Sequence, residues 1–251
     1  MEKINKLMKE WPKGSIKLTS SLEKKGYQKD LLKKYVRNDW LESLGYGSYK
    51  LAGDDVGWQG AINVLQEEKK SKLHPGGKTA LILKGFAHYL GKSLNRIEIF
   101  GSTDDVVPKW IYDNDWKVVL RYVQTKIFNY KVQEAFIKVS VQNVDVKISA
   151  PELAAMEMLY LVPKEQSFDE AMKIMEGLTT LRVNLVQKLL EDCSSIKVKR
   201  LFLFMSESLR LPWFPELDLN NLNLGTGKRS IVKEGVLDKK YHITVPQEYA
   251  R

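Results

Sequence analysis

One cysteine, Cys193, in 251 residues leaves nothing for it to pair with in an intramolecular disulfide, and it suits a reducing compartment. Histidine is almost as scarce, and His74 and His88 stand too far from other ligand-type residues in the sequence to suggest a metal site. The apolar run Leu201–Met205 falls far short of the roughly 20 residues a membrane helix needs, so no membrane partner is expected. The opening MEKINKLMKEW has no apolar h-region, so no signal peptide is expected, and the expected location is cytoplasmic. Catalytic signatures are missing too: there is no G-x-S-x-G and no H-E-x-x-H. Gly225-Thr-Gly227-Lys228 fails as a phosphate loop, because Leu222 stands where the earlier glycine belongs and Arg229 replaces the hydroxyl residue. No repeat or low-complexity segment is present. The expectation is a chain without catalytic residue, cofactor or metal.

What the chain does have is positive charge. Its net charge is +9, with a pI near 9.3, and residues 1–52 hold twelve Lys and Arg against six Asp and Glu. Charge concentrated in one segment is the footprint of a nucleic-acid module. Ile4, Leu7, Met8 and Trp11 recur on one helical face, and Pro12 and Gly14 end that helix. Thr19 is placed to cap a short second helix, which Gly26 ends in a left-handed turn. A third helix over about 28–38 puts Leu31, Leu32, Tyr35 and Val36 on one side. Asp30, Lys33, Lys34 and Arg37 fall on the other, with Lys29 on its flank. Two strand-like stretches then flank Gly45-Tyr46-Gly47. This order predicts a winged helix-turn-helix. Lys33, Lys34 and Arg37 would face the DNA groove, Lys29 and Thr19 would sit on its margin, and Gly45, Tyr46 and Gly47 would form the wing tip.

Beyond the wing, Trp58, Ala61, Ile62 and Leu65 imply a further helix, and Gly76-Gly77 start another. β-rich runs follow at Ile97–Phe100, Val118–Val123, Ala135–Val141 and Val144–Ile148. Ser149-Ala-Pro151-Glu152 and Ser167-Phe-Asp-Glu170 read as capping boxes. Helices containing Leu185 and Leu201 come next, and hairpin-like segments close the chain over 228–245. The fold class is therefore α+β: a winged helix-turn-helix with a helical extension over 1–93, then a larger mixed α/β domain over 94–251.

Several blocks of residues resemble the AbiEi antitoxins of type IV toxin–antitoxin systems. They are WPKG at Trp11–Gly14, LLKKYVRNDWLESLGYGSY, AGDDVGWQGAINVLQ, HPGGKTAL with GFAHYL, IFGS, VPKWI, DNDW, GTGKRSIVKEG and KKYHITVP. The resemblance implies an N-terminal domain that represses the system's own promoter. It also implies a C-terminal domain that counteracts a nucleotidyltransferase toxin without a stable complex. The oligomeric state is left open, with a monomer that pairs on DNA one arrangement that fits.

The alternative from another class is a nucleotidyltransferase-like enzyme. Gly101-Ser102 follows a strand, Asp113-Asn-Asp115 comes about ten residues later, and Asp145 lies on a later strand, the order of a two-metal site. Against it, Asp113-Asn114-Asp115 is a polar cluster suited to a turn rather than to an apolar strand. Cys193 has no histidine nearby in sequence, and Trp213 and Phe214 read as a loop anchored in the core. Lys197, Lys199 and Arg200 are left open between engaging RNA, the toxin or nothing.

Overall fold

The computed structural model describes residues 2–86 and 94–250. His88 lies outside them. The chain forms two compact units that are not consecutive in sequence. One comprises residues 1–74, 94–122 and 138–147; the other comprises 75–93, 123–137 and 148–251.

The first unit opens with α1 (Glu2–Glu10), β1 (Lys17–Leu18), α2 (Thr19–Lys24), α3 (Lys29–Arg37), β2 (Leu41–Gly45) and β3 (Ser48–Leu51). This is the winged helix-turn-helix. Ile4, Leu7 and Trp11 from the first helix pack with Leu22, Tyr27, Leu32, Tyr35 and Leu41 into one apolar core. Met8 is 45% exposed and not part of it, because a helix this short buries only the side turned to α2 and α3. β1, β3 and β2 form a three-stranded antiparallel sheet in that order, so the wing is stitched to the segment before α2.

Next come α4 (Trp58–Glu68), β4 (His74–Pro75), α5 (Gly77–Leu83), β5 (Arg96–Gly101), α6 (Lys109–Asp113) and β6 (Val119–Gln124). Strands β4, β5 and β6 form a sheet with β5 in the middle. Gly60 in α4 runs so close to the loop after α1 that an added Cβ would lie 2.5 Å from the Gly14 carbonyl oxygen. Only glycine fits at position 60, and Gly14 itself takes a positive φ of 74°, a separate reason for a glycine in WPKG. His74 is buried, with Nδ1 2.6 Å from the Lys72 carbonyl oxygen.

β7 (Phe136–Val141) pairs with β8 (Val144–Ser149), and four helices follow: α7 (Pro151–Leu161), α8 (Phe168–Glu176), α9 (Val183–Asp192) and α10 (Ile196–Ser208). α7 is buried on nearly every side, so it is the axis of the second unit, and α5, α8, α9 and α10 pack around it. Ser167 caps α8 as expected, its hydroxyl accepting from the Glu170 N–H. The reciprocal half of that box is not made, since the Glu170 carboxylate accepts from Lys78 and Gln166, and the box expected at Ser149 does not form. Ala150 is the N-cap of α7, Ser149 donates its hydroxyl to Glu157, and Glu152 turns to Arg182. The buried carboxylates on α7 outcompete the local cap for those partners. Short strands β9 (Arg229–Ser230), β10 (Val236–Asp238) and β11 (Ile243–Val245) close the chain, β11 lying between the other two. Among the described residues no helix is long and apolar enough to cross a membrane.

Candidate nucleic-acid interface

The interface is built outward from α3. Leu32 and Tyr35 anchor that helix in the core, and the 3.6-residue repeat then turns Lys29, Lys33, Lys34 and Arg37 to solvent. Asp30 shares this face, and its carboxylate lies 3.3 Å from the Lys33 ammonium. Both groups are well exposed, so the pair is weak and can open toward a phosphate.

Beside α3 stands the wing. Gly45 pairs with Ser48, leaving Tyr46-Gly47 as a two-residue turn, with both residues at positive φ (50° and 76°). Tyr46 is 69% exposed at the tip. Thr19 does not cap α2, because Leu18 takes the N-cap position. Instead the Thr19 N–H and hydroxyl both donate to the Gly47 carbonyl oxygen, at 2.7 and 3.0 Å, and tie the wing to the start of α2. A Cβ on Gly47 would lie 2.7 Å from the Thr19 hydroxyl oxygen. Gly47→Ala therefore combines positive φ with a clash, and we expect it to cost about 1–3 kcal/mol. A chemical-denaturation midpoint equal to the wild type's would refute that description of the turn.

Further down the hairpin, Glu42 on β2 holds the strands together. It accepts from the Gly53 N–H at 2.7 Å and lies 2.9 Å from the Lys50 ammonium. These two partners, the backbone bond first, keep its carboxyl below the ordinary range.

Sequence reasoning missed the elements that back the wing. Trp110 of α6 packs against Gly45, and Asn114 donates to the carbonyls of Leu44 at 2.8 Å and Trp110 at 2.7 Å. The Lys109 ammonium sits 5.8 Å from the centre of the Tyr46 ring. A cleft of about 340 Å³ lies against the wing and α3, lined by Thr19, Ser20, Glu23, Lys29 and Lys69, among others. Over sixty residues separate α6 from the wing, and no local pattern signals such a contact.

Asp113, Asp115 and Asp145 are exposed and occupied locally or apart: Asp113 ends α6, Asp115 accepts from the Lys117 N–H at 2.8 Å, and Asp145 lies on β8. Among the described residues, no group of three or more His, Cys, Asp or Glu could hold a metal ion. The turn at Gly101-Ser102 is filled by the chain itself. Asp105 accepts from the Ser102 N–H and hydroxyl, and the Tyr122 hydroxyl donates to the Ser102 carbonyl at 2.7 Å. Burial first, then Asp105 and Tyr112, push the Tyr122 hydroxyl up to about 12.

The basic residues of α10 also look inward. Arg200 and Lys199 are buried, and the Lys197 ammonium donates to the carbonyls of Tyr160 and Val162, both at 2.6 Å. Burial and Lys164 press the Lys197 ammonium down to about 8. These three residues do not form an open basic surface. Cys193 is buried, and burial pushes its thiol up to about 11, away from the reactive thiolate. Trp213 is anchored in the core, stacked on Phe202 and donating to the Leu178 carbonyl at 2.7 Å.

Comparison with known proteins gives a consistent picture. Residues 94–246 match the sequence profile of a family described as "Transcriptional regulator, AbiEi antitoxin, Type IV TA system". Residues 1–92 match the profile of "Transcriptional regulator, AbiEi antitoxin N-terminal domain". No curated protein matches the chain. Among solved structures, it is similar to the RV2827C protein from Mycobacterium tuberculosis, with a TM-score of 0.62 and 10% identity. That match covers 96% of this chain and 88% of the other, a likeness of fold.

Proposed function

The chain belongs to the AbiEi family of transcriptional regulators and type IV antitoxins, and from that premise we propose that it represses its own promoter and counteracts a nucleotidyltransferase toxin. The observation that carries the DNA half is the solvent-facing basic side of α3 beside a wing tied to α2. Lys33, Lys34 and Arg37 enter the major groove. Lys29 and Thr19 border it, and Gly45, Tyr46 and Gly47 follow the sugar-phosphate backbone. Repression and toxin antagonism divide between residues 1–93 and 94–251, in keeping with the two family profiles. Toxin antagonism needs no stable complex in this reading, and no catalytic step is assigned to the chain.

The test uses the full chain with Lys33→Ala and Arg37→Ala combined, against a duplex of the region upstream of its own reading frame. We expect affinity to fall by about tenfold or more, and the salt dependence to flatten by about one unit of slope per lost phosphate contact. Growth rescue beside the cognate toxin is expected to persist. Wild-type affinity in a variant with an unchanged thermal melt would overturn the assignment of α3, and loss of rescue together with DNA binding would overturn the division of labour.

A further inference from the structure

We infer that the DNA-contacting surface does not end with the N-terminal family domain: Lys109 of α6, seated over Tyr46, is a phosphate contact of the wing. This rests on the promoter-binding reading above and extends it to a residue beyond position 92.

Helix α6 is firmly held. Pro108 provides its N-cap, and Trp110 and Ile111 are 2% and 3% exposed, so two of its five residues are locked in the core. Trp110 meets Trp116 edge-on at 6.1 Å between ring centres, which fixes the rotation of the helix. The Asn114 amide then bridges the Leu44 and Trp110 carbonyls, so α6 and β2 are joined by hydrogen bonds as well as by packing. The side chain of Lys109, by contrast, is exposed. A rigid helix thus presents one cation at the tip of the wing, within 5.8 Å of a ring that is itself mostly exposed.

The surroundings repeat that chemistry. The neighbours of Lys109, Pro108 and Trp110, line the cleft beside the wing, to which α3 contributes Lys29 and the residue after α4 contributes Lys69. Both of these lysines are exposed. The hydroxyls of Thr19 and Ser20 add neutral hydrogen-bonding groups, and Glu23 is the carboxylate in the lining. Exposed ammonium groups from three separate elements, set along a wing rather than buried in a closed pocket, suit an extended polyanion. On a winged helix that polyanion is the phosphodiester backbone next to the groove that α3 enters. The tyrosine face orients the Lys109 side chain without neutralising it, so its charge stays available to phosphate.

The experiment measures fluorescence anisotropy of a labelled duplex from the region upstream of the reading frame, with the full chain, across a salt series. Lys109→Ala is expected to lower the slope of log affinity against log salt by about one and to weaken binding roughly three- to tenfold at physiological salt. Lys109→Arg should keep the wild-type slope. Lys109→Glu should weaken binding further than alanine, because a residue that merely supports the wing would lose the same support either way. Lys233→Ala, which removes an exposed lysine outside this surface, should leave the slope unchanged. The inference is overturned if Lys109→Ala retains the wild-type slope while the Lys33→Ala/Arg37→Ala variant loses affinity, or if Lys233→Ala lowers the slope equally. Should the α3 variant also bind as wild type does, the promoter-binding reading falls and this inference falls with it.

Discussion

Arg200→Ala is expected to destabilise the second unit by about 3–5 kcal/mol, several times what the loss of an exposed ion pair would cost. The guanidinium is 2% exposed. Its Nε donates to the Leu224 carbonyl at 2.7 Å, Nη1 to Gly227 at 2.7 Å and His242 at 3.2 Å, and Nη2 to Gly225 at 2.9 Å. One side chain on α10 thus satisfies four backbone carbonyls from the loop before β9 and from the turn before β11. The His242 carbonyl also accepts from the Arg229 N–H at 2.9 Å, whereas the carbonyls of Leu224, Gly225 and Gly227 are held by Arg200. Removing the fork takes four charge-assisted hydrogen bonds from these segments and leaves a gap in the packing where the buried side chain was. Burial, followed by repulsion from Arg229, lowers the guanidinium's proton affinity, but an arginine stays charged throughout. Arg200→Lys should recover little, because a single ammonium cannot span three directions from one planar fork. Thermal denaturation reads the result, with an expected fall of about 10 °C for a unit of this size. A midpoint within about 2 °C of the wild type would show that the loop does not depend on Arg200.

The same residue shows where sequence reading stops. Gly225-Thr-Gly227-Lys228 is visible as a failed phosphate loop, but nothing near it says that its carbonyls face an arginine on a helix over twenty residues earlier. In the sequence Lys197, Lys199 and Arg200 stay open between a contact with RNA or toxin and no contact at all, because nothing local names a partner for their charge. For Lys197 and Arg200 the partners are main-chain carbonyls, which carry no sequence signature. By contrast, α3 and the wing were legible because their signals are local. Leu32 and Tyr35 set the buried side, the remaining positions follow from the helical repeat, and the glycines on either side of Tyr46 mark the turn.

Thr19 falls between these cases. A threonine at the start of a helix reads as a cap, yet its hydroxyl bonds Gly47 across the wing, because the sheet β1-β3-β2 brings that carbonyl nearer than the helix N–H groups. The support of α6 behind the wing was not legible at all. It depends on Trp110 and Asn114 meeting β2 in three dimensions, a contact between residues some seventy positions apart. For the candidate interface, then, local pattern identifies the charges and the turn. Tertiary packing decides which of them stand together.

Glu152 carries the second large effect, and it also gives the stability of the chain an acid dependence. Its side chain is 3% exposed and meets Arg182 in a bidentate pair, with Nε and Nη2 each 2.9 Å from a carboxylate oxygen. The Arg182 N–H donates to the same carboxylate at 2.9 Å, fixing the N-cap of α9 to α7. Burial alone would raise the Glu152 carboxyl, but the bonds from the Arg182 side chain and backbone outweigh it and hold the group below its ordinary value near 4.5. A carboxyl depressed in the folded state adds stability above its unfolded value, and loses that contribution as pH falls through the folded one. The contribution is therefore complete at neutral pH and fades below about 4.5. Glu152→Ala should cost about 3 kcal/mol at neutral pH, since it strands the Arg182 N–H and removes a buried charge partner. Glu152→Gln keeps the shape and part of the hydrogen bonding, and should cost about 1–2 kcal/mol at neutral pH. Its deficit relative to the wild type should shrink as the pH drops toward about 3, because protonation removes the same charge from the wild type. Urea denaturation of both proteins at about pH 7 and about pH 3 measures the two gaps. An equal gap at both values would mean that the ion pair adds nothing beyond what a neutral amide provides.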